Sequence, residues 1–198
     1  MTKTLWYKSK KGLTSDLIDG FQQSFSVDKR LADEDIAGSI AYAQALKQAK
    51  VLSGKETMTI KKNLLKMRKR FVVRNGVKAE DVHTAVEMEL TKLAGKVAGK
   101  IHTGRSRNEQ VVADERLYLK KAVAGIQSEI HNLQKDIVSR AQAHIKVIMP
   151  GYTHLQQAQP ILFSYYLMSW FFALQRDKER LSDCLKRIDI SPYGSGAL

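Results

Sequence analysis

The stretch "LYLKKAVAGIQSEIHNLQKDI", Leu117–Ile137, decides the fold. Its apolar residues Leu119, Val123, Ile126, Ile130, Leu133 and Ile137 recur at steps of 4, 3, 4, 3 and 4. A mean step near 3.5 residues puts them on one seam of a helix, as in coiled coils and bundles. No proline interrupts residues 107–147, so the pattern predicts a helix of about 40 residues, against a usual length of about 10–14. Such a helix needs partners along its length. A second long helix is expected from Pro160 to Ile188, with Pro160 in its first turn. Its first half, Ile161–Leu174, is apolar nearly all round and reads as a buried helix. At 14 residues, with two serines, it falls short of the roughly 20 apolar residues of a membrane span, and no membrane partner is expected.

Upstream, residues 1–12 read as extended, and a short helix is expected over Leu13–Phe21. Ile36, Ile40, Ala43 and Leu46 carry a helical spacing with Asp33 as its expected cap. Ile60, Leu64, Met67 and Phe71 mark a helix over Lys55–Arg74 that "NG" at Asn75–Gly76 ends. Val82, Val86, Leu90 and Leu93 mark another over Glu80–Leu93. No segment alternates with a period of two, and the fold class expected is all-α. These helices are too few to bury the faces they carry, which implies oligomerisation or further chain.

Apolar content of 43% and charged content of 27% fit a globular protein with a real core. The single cysteine, Cys184, forms no internal disulfide and points to a reducing compartment. The start "MTKTLWYKSKKG" has no apolar signal region, so a cytoplasmic location is expected. Of the net charge of +13, the segment Lys47–Arg74 supplies much, with ten Lys/Arg against Glu56 alone. That block has the charge to attract nucleic acid or an acidic partner. It lacks interleaved aromatics apart from Phe71 and carries no nucleic-acid motif, so it reads as a solvated helix face, with no nucleic-acid partner.

Two polar stretches break the pattern: "KIHTGRSRNEQ", Lys100–Gln110, and "MPGYTHLQQAQP", Met149–Pro160. In the first, Ser106 and Glu109 fit a capping box that opens the long helix near Arg107. Its exposed N–H groups and positive dipole end favour an anion, and Arg105, Ser106, Arg107 and Asn108 add donors. A carboxylate or phosphate would fit there, and so would a helix start that is merely well capped. In the second, Pro150–Gly151 is expected to turn the chain, leaving Thr153 and His154 in a loop. Histidine suits proton transfer near neutral pH, though a loop histidine is also an ordinary surface group. His83, with Glu87 four residues on, reads as a helix-surface pair.

The segments "FQQSFSVDKRL", "DEDIAGSIAYAQAL", "EDVHTAVE", "GKIHTGRSRNEQV", "PGYTHLQQAQP", "RDKERL" and "SPYGSGAL" together resemble the argininosuccinate lyase and delta-crystallin family of the fumarase/aspartase superfamily. They run in the family's order over nearly the whole chain. The resemblance implies a small helical N-terminal domain, 1–104, and the first long helices of a bundle, 105–198. It implies elimination of fumarate from argininosuccinate, with no cofactor and no metal. It implies a homotetramer, or a C-terminal partner chain, with sites built from several subunits. By position, His154 matches the catalytic histidine, and Ser24, Asn108 and Thr153 match substrate-binding residues. His83, Ser106 and Arg107 match residues that line the same site.

The departures are specific. "YKSK" at Tyr7–Lys10 replaces the family's "GGRF", Val86 replaces an asparagine, and Glu109 replaces an aspartate. The chain ends at "GSGAL", less than half the family's usual length. The serine loop given the partner acid–base role is expected beyond that point. A lyase that needs a C-terminal part is therefore one expectation, and a non-catalytic structural relative is the alternative.

Overall fold

The computed structural model describes residues 20–21, 23–70 and 79–196. Most of the helix expected at Leu13–Phe21, and the chain beyond Arg70 to Lys78 with its "NG" stop, lie outside the described residues. The chain divides into two compact units, one up to Tyr118 together with the segment from Ser191, the other Leu119–Ile190.

The first unit is helical. A single turn, α1 (Phe25–Asp28), leads through a 3-10 turn at Lys29–Leu31 into α2 (Ala32–Gln48). Next come α3 (Gly54–Arg70), α4 (Val82–Ala94), a 3-10 segment Gly95–His102, and α5 (Arg107–Ala143), which begins in this unit. Local chemistry sets the starts. Ser53 and Glu56 form a reciprocal capping box before α3, with Ser53 N–H donating to Glu56 at 2.8 Å and Glu56 N–H to Ser53 Oγ at 3.3 Å. Asp81 caps α4 by accepting from Thr84 N–H at 2.6 Å, and Gly95, with φ of 67°, ends it. α2 differs from expectation. It starts one residue before Asp33, with Leu31 at the cap position and no side-chain cap. Asp33 lies in the first turn, where the helix dipole favours it, and takes both ends of the Arg68 guanidinium at 2.5 and 2.9 Å.

The apolar spacings converge on one core. Ile36, Ala43 and Leu46 of α2, Ile60, Leu64 and Met67 of α3, and Val82, Val86 and Leu90 of α4 are buried together with Ala98 and Ile101. Val86 thus fills core volume where an amide side chain would need a partner.

In the second unit, α5 from Leu119 onward and α6 (Phe163–Ile188) run antiparallel. Lys120 meets Asp189 at 2.5 Å, Gln127 donates to Ser182 Oγ at 2.8 Å, and Gln134 donates to the Phe171 carbonyl at 3.2 Å. The seam that α6 covers is rotated from the one read in the sequence. Val123, Gln134 and Ala141 are buried, whereas Ile126 and Leu133 stay 50% and 49% exposed. The single partner helix of this unit covers one stripe and leaves part of the expected seam open. Within this unit Tyr165, Trp170 and Phe172 of α6 are also exposed, so the burial expected for Ile161–Leu174 is incomplete.

Between the helices stands a hairpin the periodicity did not announce: β1 (Ile148–Thr153) against β2 (Gln156–Leu162), antiparallel. Pro150–Gly151 does not turn the chain. Pro150 faces Pro160 across the ladder, and the register shifts between Pro150 and Tyr152. A Cβ on Gly151 would lie 2.9 Å from the Gln159 carbonyl, so only glycine fits that approach. The turn falls at His154 and Leu155, with φ of 51° and 62°, the positive pair that two-residue hairpin turns need. Pro160 accordingly belongs to β2, and α6 begins three residues later. Among the described residues the protein is all-α apart from this two-stranded sheet.

Candidate active site

The N-terminus of α5 is built as its sequence suggests. Ser106 N–H donates to Glu109 Oε2 at 3.2 Å, and Ser106 Oγ accepts from Asn108 N–H at 3.2 Å. Gly104, with φ of 70°, makes the turn that leads in. Asn108 is exposed, and no hydrogen bond to its amide side chain occurs among the described residues. Arg107 folds back, donating to Gln110 Oε1 at 3.0 Å and lying 3.8 Å from Asp81 and 3.6 Å from Glu87. Glu87 also faces His102 at 3.0 Å. Burial alone would raise the Glu87 pKa, but His102, Arg107 and Arg105 outweigh it and hold the carboxyl below its usual range.

Arg105 is not a donor at this surface. It is buried, bonds Ser39 Oγ at 3.1 Å, and stacks over the Tyr42 ring at 5.2 Å. Tyr42 in turn stacks on Tyr193, whose burial pushes its phenol up to about 12. The segment that carries Tyr193 is pinned to the same helix start. Glu109 Oε1 accepts from Gly194 N–H at 2.9 Å and Gly196 N–H at 2.8 Å. These backbone donors, with that of Ser106, keep the Glu109 carboxyl below its usual range.

Ser24 precedes α1. Its Oγ donates to Asp28 at 2.6 Å, and its backbone N–H to the Glu80 carbonyl at 2.9 Å. Asp28 also accepts from Val82 N–H at 3.1 Å, so Ser24 is tied to the start of α4. Burial raises the Asp28 pKa against the opposing Ser24 bond.

His83 is not a surface residue paired with Glu87. It is 2% exposed, and its Nδ1 lies 3.2 Å from Asp114 and 3.5 Å from Asp35, which are 0% and 1% exposed. Asp35 also accepts from Gln110 Nε2. Burial disfavours the imidazolium, but the two carboxylates more than offset it and raise His83 to about 9. Burial also raises Asp114, which His83 opposes and the charge of Asp35 reinforces, to about 7. At Asp35, burial is outweighed by His83, Gln110 and Arg105, and the carboxyl stays below its usual range. This cluster ties α2, α4 and α5 together. No local spacing announces it, because Asp35, His83 and Asp114 lie on three helices far apart in the chain.

The first unit therefore gathers Ser24, His83, Ser106, Arg107 and Asn108. Thr153 and His154 belong to the second, exposed at the tip of the hairpin. Beside them an open cavity of about 690 Å³ is lined by Tyr152, Thr153, Gln159 and Tyr166, among others.

A sequence pattern of the lyase family covers residues 9–198. This chain belongs to the lyase family. Among its relatives is the argininosuccinate lyase of Staphylococcus carnosus (strain TM300), 48% identical over 91% of this chain and 40% of its own length. The argininosuccinate lyase of Chlamydomonas reinhardtii is 46% identical over the whole chain and 42% of its own. The chain thus spans about two fifths of these relatives, their N-terminal part. Among solved structures, EDDS lyase in complex with formate matches with a TM-score of 0.74 and 26% identity over 86% of this lyase-family chain and 34% of its own. A fumarate lyase:delta crystallin from Brucella melitensis, at 16% identity and a TM-score of 0.75, shares the fold.

Proposed function

We propose that this chain is the N-terminal part of an argininosuccinate lyase, which eliminates fumarate from argininosuccinate and leaves arginine, a step of arginine biosynthesis. The observation that carries the reading is the open α5 N-terminus, Ser106–Asn108, in a chain 48% identical to such an enzyme. Elimination passes through a species with negative charge on the succinyl carboxylate. Helix N–H groups and the free Asn108 amide are suited to hold that charge. His154 is assigned the catalytic proton transfer, and Thr153, Ser24, Ser106 and Arg107 the substrate contacts. His83, buried against Asp35 and Asp114, is assigned a supporting role and not a substrate contact. The scheme uses no cofactor. We place the reaction in the cytoplasm, in a homotetramer or a complex with a C-terminal chain, where α5 and the hairpin of different subunits complete each site. The non-catalytic alternative gains nothing from the relatives, which are argininosuccinate lyases.

The test is fumarate absorbance on adding argininosuccinate. The chain alone is expected to release none. Mixed with the C-terminal part of the Staphylococcus carnosus enzyme it should turn over, and His154→Ala should abolish the signal. A stable mixed complex without turnover would overturn the proposal.

A further inference from the structure

The basic block read in the sequence as a solvated face is more structured than that. Lys61, Lys62 and Lys66 are exposed on the outward side of α3, and none meets an acidic side chain among the described residues. Two cations close by are engaged: Arg68 holds Asp33, and Lys100 holds Glu56 at 2.6 Å. Between the three lysines stand Met58, 68% exposed, and Leu65, 41% exposed. These five residues line an open groove of about 380 Å³. The face cannot roll inward, because Ile60, Leu64 and Met67 anchor the other side of α3 in the core.

Unneutralised like charges on neighbouring turns repel, and isolated apolar side chains in water are unfavourable. One occupant relieves both. We propose that this face docks an acidic amphipathic helix of a partner protein. Met58 and Leu65 are seven residues apart, about 10.5 Å along the axis, or two turns. Two apolar side chains at the same spacing on the incoming helix cover them, and carboxylates on either side face Lys61, Lys62 and Lys66. Nucleic acid fits less well: among the described residues the groove has no arginine for bidentate phosphate contacts and no aromatic ring for stacking, and phosphates would leave Met58 and Leu65 uncovered. A lipid surface fits less well too, since an interfacial helix turns its broad apolar side outward, and that of α3 is in the core.

The proposal rests on the α3 face alone and is independent of the lyase reading. It is tested by fluorescence anisotropy on the full 198-residue chain. The probe is a labelled 18-residue helical peptide with two leucines seven positions apart flanked by glutamates. Controls are the same peptide with both leucines changed to serine, vesicles of phosphatidylserine and phosphatidylcholine, and a 20-base-pair duplex. Saturable binding is expected that weakens with salt. Changing Lys61→Gln, Lys62→Gln and Lys66→Gln together should raise Kd about tenfold, as loss of three exposed ion pairs implies. Met58→Ser with Leu65→Ser should raise it about threefold, and helical circular dichroism and Tm should match the parent chain. No binding of the leucine peptide would overturn the proposal. So would equal binding of the serine peptide, an unchanged Kd in a folded lysine variant, or tighter binding of vesicles or duplex.

Discussion

Asp114→Asn should make the protein more stable at pH 8, by less at pH 5, and leave it nearly unchanged only below pH 3.8, where the parent carboxyl is protonated in both states. Asp114 is fully buried beside His83 and Asp35, and its pKa is raised from an ordinary 3.8 to about 7. A raised carboxyl binds its proton more tightly folded than unfolded. Its contribution is complete below pH 3.8 and is lost as pH rises to 7. The full span of about three pH units corresponds to about 4 kcal/mol, of which about 2–3 kcal/mol falls between pH 5 and 7. His83 acts in a higher window. Its pKa is raised from 6.5 to about 9, so its contribution is present below 6.5 and fades toward 9. Asparagine keeps a polar oxygen beside His83 and the same volume next to Asp35, with no charge to titrate. The assay is urea unfolding followed by circular dichroism at pH 5, 6, 7 and 8. The parent should lose about 2–3 kcal/mol between pH 5 and 7, and the variant should be flat there and decline only above pH 7. A variant as steep as the parent, or one less stable at pH 8, would refute the protonation scheme.

Gly151→Ala forces a Cβ to 2.9 Å from the Gln159 carbonyl, so the hairpin should lose about 1–3 kcal/mol, read as faster amide exchange in β1 and β2 with α2 and α4 unaffected. Glu109→Gln weakens the acceptor shared by Gly194 and Gly196, and exchange at those two amides should rise. The Glu109 carboxyl lies below its usual range, so in the parent chain the same rise should come as pH falls through that lowered value, absent at pH 7.

The long helices were legible in the sequence because their signal is local. A 3.5-residue seam and an absence of proline need only a few turns of chain to be read, and α5 and α6 follow them to within a few residues. The capping box at Ser106–Glu109 was legible for the same reason, since its partners are three residues apart. The motifs that carry the family resemblance lie in linear order and needed no coordinates.

The hairpin was not legible, because β1 and β2 are held by pairing with each other and by a turn at His154–Leu155, residues with no turn preference of their own. The environment of His83 was not legible either. Asp35, His83 and Asp114 are far apart in the chain, and only the packing of α2 and α4 on α5 turns three polar helix residues into one buried charge cluster. Interactions one turn long settle a capped helix start such as Ser106–Glu109 and which stripe of a helix is apolar. Which polar side chains are stripped of water, and therefore which pKa values move, depends on what covers them, and that is decided only when distant segments pack.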